Sequence, residues 1–194
     1  MRTRLFAVLA TVVVFLSACG INSIPRAEEE AKARWADVQN LYQRRADLVP
    51  NLVATVRGAA QQERTVLREV TEARASASRI TVTGEQLTDP AAMARFAEAQ
   101  SRLTLSLQRL QEAYPELRTN ENFLTLQSQL EGTENRIAVA RRDYNAAVQA
   151  YNTRIRTFPD LIGARVIYGA QPMAPYQADA AAQSAPTVDF GNTQ

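Results

Sequence analysis

Histidine is absent from all 194 residues, and cysteine occurs once, at Cys19. Those two gaps exclude a Ser–His–Asp or Cys–His dyad, a His/Cys zinc site and an internal disulfide. They also remove the Glu-x-x-His pairs with which helical bundles hold two metals. Glu63, Glu69, Glu72, Glu98 and Glu134 therefore make no such motif. Catalysis is left with carboxylates, Lys32, tyrosines, hydroxyls and arginines. Neither sign of charge dominates: the formal net charge is +2, and Arg2 and Arg4 at the extreme N-terminus account for it. Such a surface offers nucleic acid no electrostatic footprint. The expectation is a protein with no catalytic residues, no cofactor, no metal and no nucleic-acid partner. A membrane-spanning run is missing too, since Leu5–Leu16 falls short of the ~20 apolar residues that a bilayer crossing needs.

What that short run does fit is a secretory signal. Arg2 and Arg4 form a basic n-region, Leu5–Leu16 an apolar h-region, and Leu16-Ser17-Ala18-Cys19 a small-residue exit. The Leu-Ser-Ala-Cys ending resembles a bacterial lipobox, in which the cysteine thiol is lipidated and becomes the mature N-terminus. Residues 1–18 then read as a signal peptide, Cys19 as the lipidation site that joins the chain to a membrane, and residues 19–25 as a tether. Gly20, rather than Asp, follows the cysteine, which leans toward the outer membrane. The competing reading is an uncleaved N-terminal anchor with Cys19 as a bystander thiol.

Beyond the tether, apolar residues recur at helical spacing. The stretch from Asn120 to Phe158 carries Phe123, Leu130, Ile137, Tyr144, Tyr151 and Phe158 seven apart, one stripe along a long helix. Covering such a stripe requires partner helices. Ala31, Trp35, Val38 and Tyr42 predict a first helix over about Arg26–Arg45. Asp47-Leu48-Val49-Pro50 predicts a break, with Asp47 capping a second helix that runs to about Ile80; one kinked helix through Pro50 is the alternative. Asp89-Pro90 starts a third helix, carrying Met93, Phe96, Leu103, Leu107 and Leu110 and closing near Ala113. Thr119 or Asn120 caps the fourth. The predicted fold is all-α: an antiparallel four-helix up-and-down bundle over residues 26–168, with a low-complexity, extended and flexible tail over 169–194. Leu161, Ile162, Val166 and Ile167 remain available to dock on it.

Two polar constellations stand out. Arg44 and Arg45 with Asp47 and Asn51 gather at the expected first junction. They could form an anion- or partner-binding corner, or arginine forks that tie the junction through Asp47 and nearby carbonyls. On the long helix, Glu134, Asn135, Arg136, Arg141, Arg142, Asn145 and Asn152 make a polar face. Tyr144-Asn145 and Tyr151-Asn152 repeat there at seven residues, which sets each Tyr on the seam and each Asn at its edge. That face is either a polar groove or a set of register-setting pairs inside the bundle.

Tyr42-Gln43-Arg44-Arg45-Ala46-Asp47-Leu48-Val49-Pro50-Asn51-Leu52-Val53 resembles the LemA family of bacterial envelope proteins. Ile21–Pro25, Val70–Ala75, Tyr114–Arg118, Thr133–Ala138, Ala140–Asn145 and Ala185–Phe190 agree in order. The resemblance covers nearly all of the mature chain. It implies a bromodomain-like four-helix bundle held to a membrane by its N-terminus, and it brings no reaction or catalytic residue. Two departures are visible. The lipobox stands where many relatives have a longer membrane helix, and Gly58-Ala59-Ala60 lacks the aromatic residue expected after that glycine. The functional expectation is a non-enzymatic, lipid-anchored envelope module that faces the periplasm or the exterior and binds an unidentified envelope protein. A carboxylate-based hydrolase and a lipid- or hydrophobe-binding bundle are the alternatives.

Overall fold

The computed structural model describes residues 22–59 and 64–177. Residues 1–21, with Cys19 and the expected signal segment, residues 60–63, with Glu63, and residues 178–194 lie outside the described residues. Among the described residues every regular element is helical. Helix α1 is Ser23–Ala59, α2 is Arg64–Arg79, α3 is Pro90–Ala113 and α4 is Glu121–Arg154; the short α5, Asp160–Gly163, runs on as a turn of π-helix over Ala164–Tyr168. Two 3-10 turns, Glu85–Thr88 and Pro115–Thr119, precede α3 and α4.

The expected starts of α3 and α4 hold. Asp89 accepts the Ala91 N–H at 2.8 Å with Pro90 opening the helix, and Asn120 accepts the Phe123 N–H at 3.1 Å. Each cap satisfies one of the backbone donors that a helix start leaves without an intrahelical partner.

The expected break at Asp47–Pro50 does not occur. Helix α1 runs unbroken for 37 residues, ~55 Å, with Pro50 in its interior, and the chain leaves it only after Ala59. Proline in a helix interior costs ~3 kcal/mol, because its missing N–H strands the carbonyl four residues back. That carbonyl is Ala46's, and Arg74 of α2 donates its Nε to it at 2.7 Å. A side chain from the neighbouring helix therefore replaces the bond that Pro50 cannot make. The apolar stripe supplies the rest of the compensation, since Val49, Leu52, Val53 and Val56 are all buried. Arg74→Met should lower the unfolding free energy by ~1–3 kcal/mol, the cost of leaving a buried carbonyl unpaired. In a Pro50→Ala background the same substitution should cost less than half as much, because the restored N–H serves Ala46. Urea titration of the four proteins checks this cycle.

Helix α1 packs along α4, and α2 along α3. Ser23 meets Arg154 and Asp160 at one end, while Val56 and Phe123 share a cluster at the other, so α1 and α4 run antiparallel. The core has two parts. Around Trp35, Tyr42, Phe96, Tyr144 and Tyr176 it is aromatic; around Leu52, Val56, Leu103, Leu110 and Leu130 it is aliphatic. Among the described residues no helix is long and apolar enough to cross a membrane.

Two expectations about the C-terminal part are corrected. The chain from Gln171 to Gln177 is extended but fastened to the helices, with Met173, Ala174 and Tyr176 buried. Conversely, Ile162, Val166 and Ile167 do not dock and stand exposed.

Candidate functional site

Arg45 lies at the boundary between the aromatic and aliphatic parts of the core and is only 1% exposed. Its place follows from spacing. Val38, Tyr42, Arg45 and Val49 fall on one helical stripe, and the uninterrupted α1 turns Arg45 inward with them. Its Nη1 donates to Glu134 Oε1 of α4 at 2.6 Å and to Thr104 Oγ1 of α3 at 2.8 Å. Its Nη2 donates to Gln100 Oε1 at 2.6 Å and to the Gln100 carbonyl at 3.1 Å. Gln100 reaches on to the Ala77 carbonyl of α2 at 3.4 Å. Arg45 also lies over the Tyr42 ring, 4.9 Å from its centroid. One guanidinium thus connects all four long helices. A planar fork with several donors suits this task, whereas a lysine's point charge would not.

The junction reading of this region is therefore half right. Arg45 is a structural fork, but its partners are Gln100, Thr104 and Glu134 rather than Asp47. Arg44, Asp47 and Asn51 are exposed on α1, and Asp47 accepts a hydrogen bond from Gln43 at 2.8 Å. They do not converge with Arg45. The acidic residues that invite a metal reading are likewise dispersed: Glu69 faces Arg109, Glu72 faces Arg68, Glu98 faces Arg102 and Glu134 faces Arg45.

The second constellation lies along α4, where the extended chain returns. Asn145 donates Nδ2 to the Tyr176 carbonyl at 3.0 Å and accepts the Tyr176 N–H at 2.8 Å. Asn152 treats Met173 identically, with both bonds at 2.8 Å. The spacing makes this possible. Two turns of helix rise ~10.5 Å, and the extended chain from Met173 to Tyr176 covers ~10 Å. A primary amide matches the backbone's own donor–acceptor pair, so each Asn holds the strap without reading its side chains. Tyr144 donates to the Ala174 carbonyl at 2.8 Å, and the Ala174 N–H donates to the Leu87 carbonyl at 2.7 Å.

Tyr176 then fills the aromatic half of the core. It stacks on Tyr42 with ring centroids 6.3 Å apart, meets Phe96 edge-on, and shares a 2.8 Å hydroxyl–hydroxyl bond with Tyr42. Arg141 covers its outer face, 4.2 Å from the ring centroid. Of the polar face read from the sequence, Arg141 and Asn145 therefore serve the strap, and Glu134 serves Arg45. Gln100, Thr104 and Tyr176 escaped the sequence reading. Asn152 was visible there as the second member of the Tyr-Asn repeat.

Burial pushes the phenols of Tyr42 and Tyr144 well above their ordinary range, and Tyr176 beside Tyr42 adds to the effect. Lys32 is pushed up to about 12, chiefly by its hydrogen bonds to Glu28 and Glu29. All three folded values exceed the unfolded ones, so their contribution is complete below pH ~10 and is lost as pH rises further. Stability should stay level toward pH ~10 and then fall, by up to ~1.4 kcal/mol per pH unit for each buried phenol. Urea midpoints taken on either side of pH ~10 check this, and Tyr42→Phe should flatten the decline.

Both constellations lie inside a single family match, in which the family model covers residues 34–190. The chain belongs to the LemA family. A comparison with curated proteins finds no match. The LemA region thus takes in the Arg45 node, the two asparagines and the strap that they hold.

Proposed function

We propose that this LemA-family chain is a non-enzymatic, lipid-anchored protein of the bacterial cell envelope, an antiparallel four-helix bundle that binds or spaces another envelope component. Residues 1–18 are its signal peptide, Cys19 carries the lipid, and the bundle faces the periplasm or the exterior, with the outer membrane as its destination. The observation that carries the non-enzymatic part is the state of Glu134. A buried guanidinium holds its carboxylate at 2.6 Å in a structural ion pair. A general acid or base must stand within reach of a substrate proton and be free to exchange it. The tyrosines at the centre of the molecule are equally committed, to ring packing and to the strap. The lipid anchor is supported by the lone cysteine standing at the end of a lipobox-like sequence.

Intact mass of the protein extracted from native membranes tests the anchor. Cleavage before Cys19 with added acyl chains is expected, and Cys19→Ala should abolish it. An unprocessed, unacylated chain would overturn the reading. Turnover of peptidoglycan fragments that disappears in Glu134→Gln alone would overturn the non-enzymatic part.

A further inference from the structure

The turns that follow α4 carry apolar side chains outside the core. Phe158 and Val166 are each 79% exposed, Ile162 is 58% and Ile167 57%. Ile162 and Val166 are four apart on the helical turns of this segment, close to one turn of helix, and Phe158 stands in the turn just before them. Four large apolar side chains this exposed within ten residues of chain offer a candidate docking surface.

Its position says what it docks on. Ser23 Oγ donates to Asp160 Oδ2 at 2.7 Å, Arg154 donates to the Ser23 carbonyl at 3.0 Å, and the Ile24 side chain lies against Gly163. The segment is thereby tied to the very start of α1. Cys19 precedes Ser23 by four residues, a reach of at most ~14 Å even when fully extended. Lipid on Cys19 brings this end of the molecule, and not the other, to the bilayer. The charge around the apolar residues points the same way. Arg26, Arg156 and Arg165 are exposed here, while Asp160 is engaged by Ser23 and by Arg154 at 3.6 Å, and Glu28, Glu29 and Glu30 are paired with Lys32 and Arg34. Apolar residues edged by arginine suit the headgroup–acyl boundary of an anionic membrane.

We propose that Phe158, Ile162, Val166 and Ile167 seat on an anionic phospholipid surface, so that the helical body stands end-on to the membrane. This rests on lipid attachment at Cys19. The consequence is a fixed orientation: the start of α1 is at the bilayer, and Arg57 stands ~50 Å further along the helix.

The test uses the full-length lipoprotein in vesicles containing phosphatidylglycerol. Val166→Cys and Arg57→Cys each place one free thiol at an exposed position, because in the acylated protein the Cys19 sulfur is already occupied. An environment-sensitive fluorophore on that thiol reads its surroundings. At position 166 a blue shift and several-fold weaker quenching by aqueous iodide are expected, and at position 57 neither. The shielding should weaken in phosphatidylcholine vesicles. Equal quenching at the two positions in an acylated sample overturns the proposal, and equal shielding in both lipids overturns the role of the arginines. Intact mass of the same sample, read before labelling, separates these results from a failure of the anchor. An unacylated mass overturns the anchoring reading and the proposal with it.

Discussion

Arg45→Met should lower the unfolding free energy by ~3–5 kcal/mol, the range for removing one partner from a buried charged network. Methionine keeps much of the volume and none of the donors. Gln100 Oε1 loses its partner in the interior, and Thr104 and Glu134 lose theirs nearby. Glu134→Gln should cost less, ~1–3 kcal/mol, because the amide oxygen can still accept from Nη1 while the buried guanidinium loses this counter-charge. The asymmetry is the diagnostic result, and guanidinium or urea titration of the two variants measures it. Adding Gln100→Leu to Arg45→Met should recover part of the loss, since a wholly apolar contact leaves fewer polar groups stranded. A loss below ~1 kcal/mol for Arg45→Met would mean that the four-helix connection contributes little.

Tyr176→Ala should cost ~3 kcal/mol, the low end for truncating a buried aromatic, since the strap can detach and the helices partly close over the gap. The signature is local. Trp35 lies 6.5 Å from the Tyr176 ring, so its emission should shift to the red as water enters. Amide exchange should rise at Met173, Ala174 and Tyr176 before it rises in α1 or α4. Tyr176→Phe removes only the hydroxyl contact with Tyr42 and should cost ~1 kcal/mol. Asn145→Ala should reproduce the exchange pattern of Tyr176→Ala without removing any ring. If instead strap and helices lost protection together, the strap would be part of the global folding unit rather than a separately released segment.

The sequence made most of the helices legible, because their stripes are long and their starts chemically explicit. Asp89-Pro90 and Asn120 are capping signals that no packing overrides. Pro50 misled because its local cost was read without its remedy. The stripe through Tyr42, Val49 and Val56 already crossed the proline unbroken, but the donor for Ala46 comes from Arg74, and no local pattern reveals that pairing. Placing a junction at Pro50 then paired Arg45 with Asp47, although its spacing from Val38, Tyr42 and Val49 is that of a core position. The Tyr-Asn repeat on α4 did expose one half of the strap contact. The other half was hidden, because an extended chain with three buried side chains carries no periodicity, and Met173 and Tyr176 look like ordinary members of a low-complexity segment.

The strap also sets an order of events. Tyr42 and Tyr176 share a hydrogen bond across 134 residues of chain, and the second ring is made long after the first. A nascent chain that has already produced Trp35, Tyr42, Phe96 and Tyr144 still lacks the side chain that closes the space among them. Loops of that length are slow to close, and the contacts that reward closure come last. The helical core is thus held short of its final stability until Tyr176 has been made.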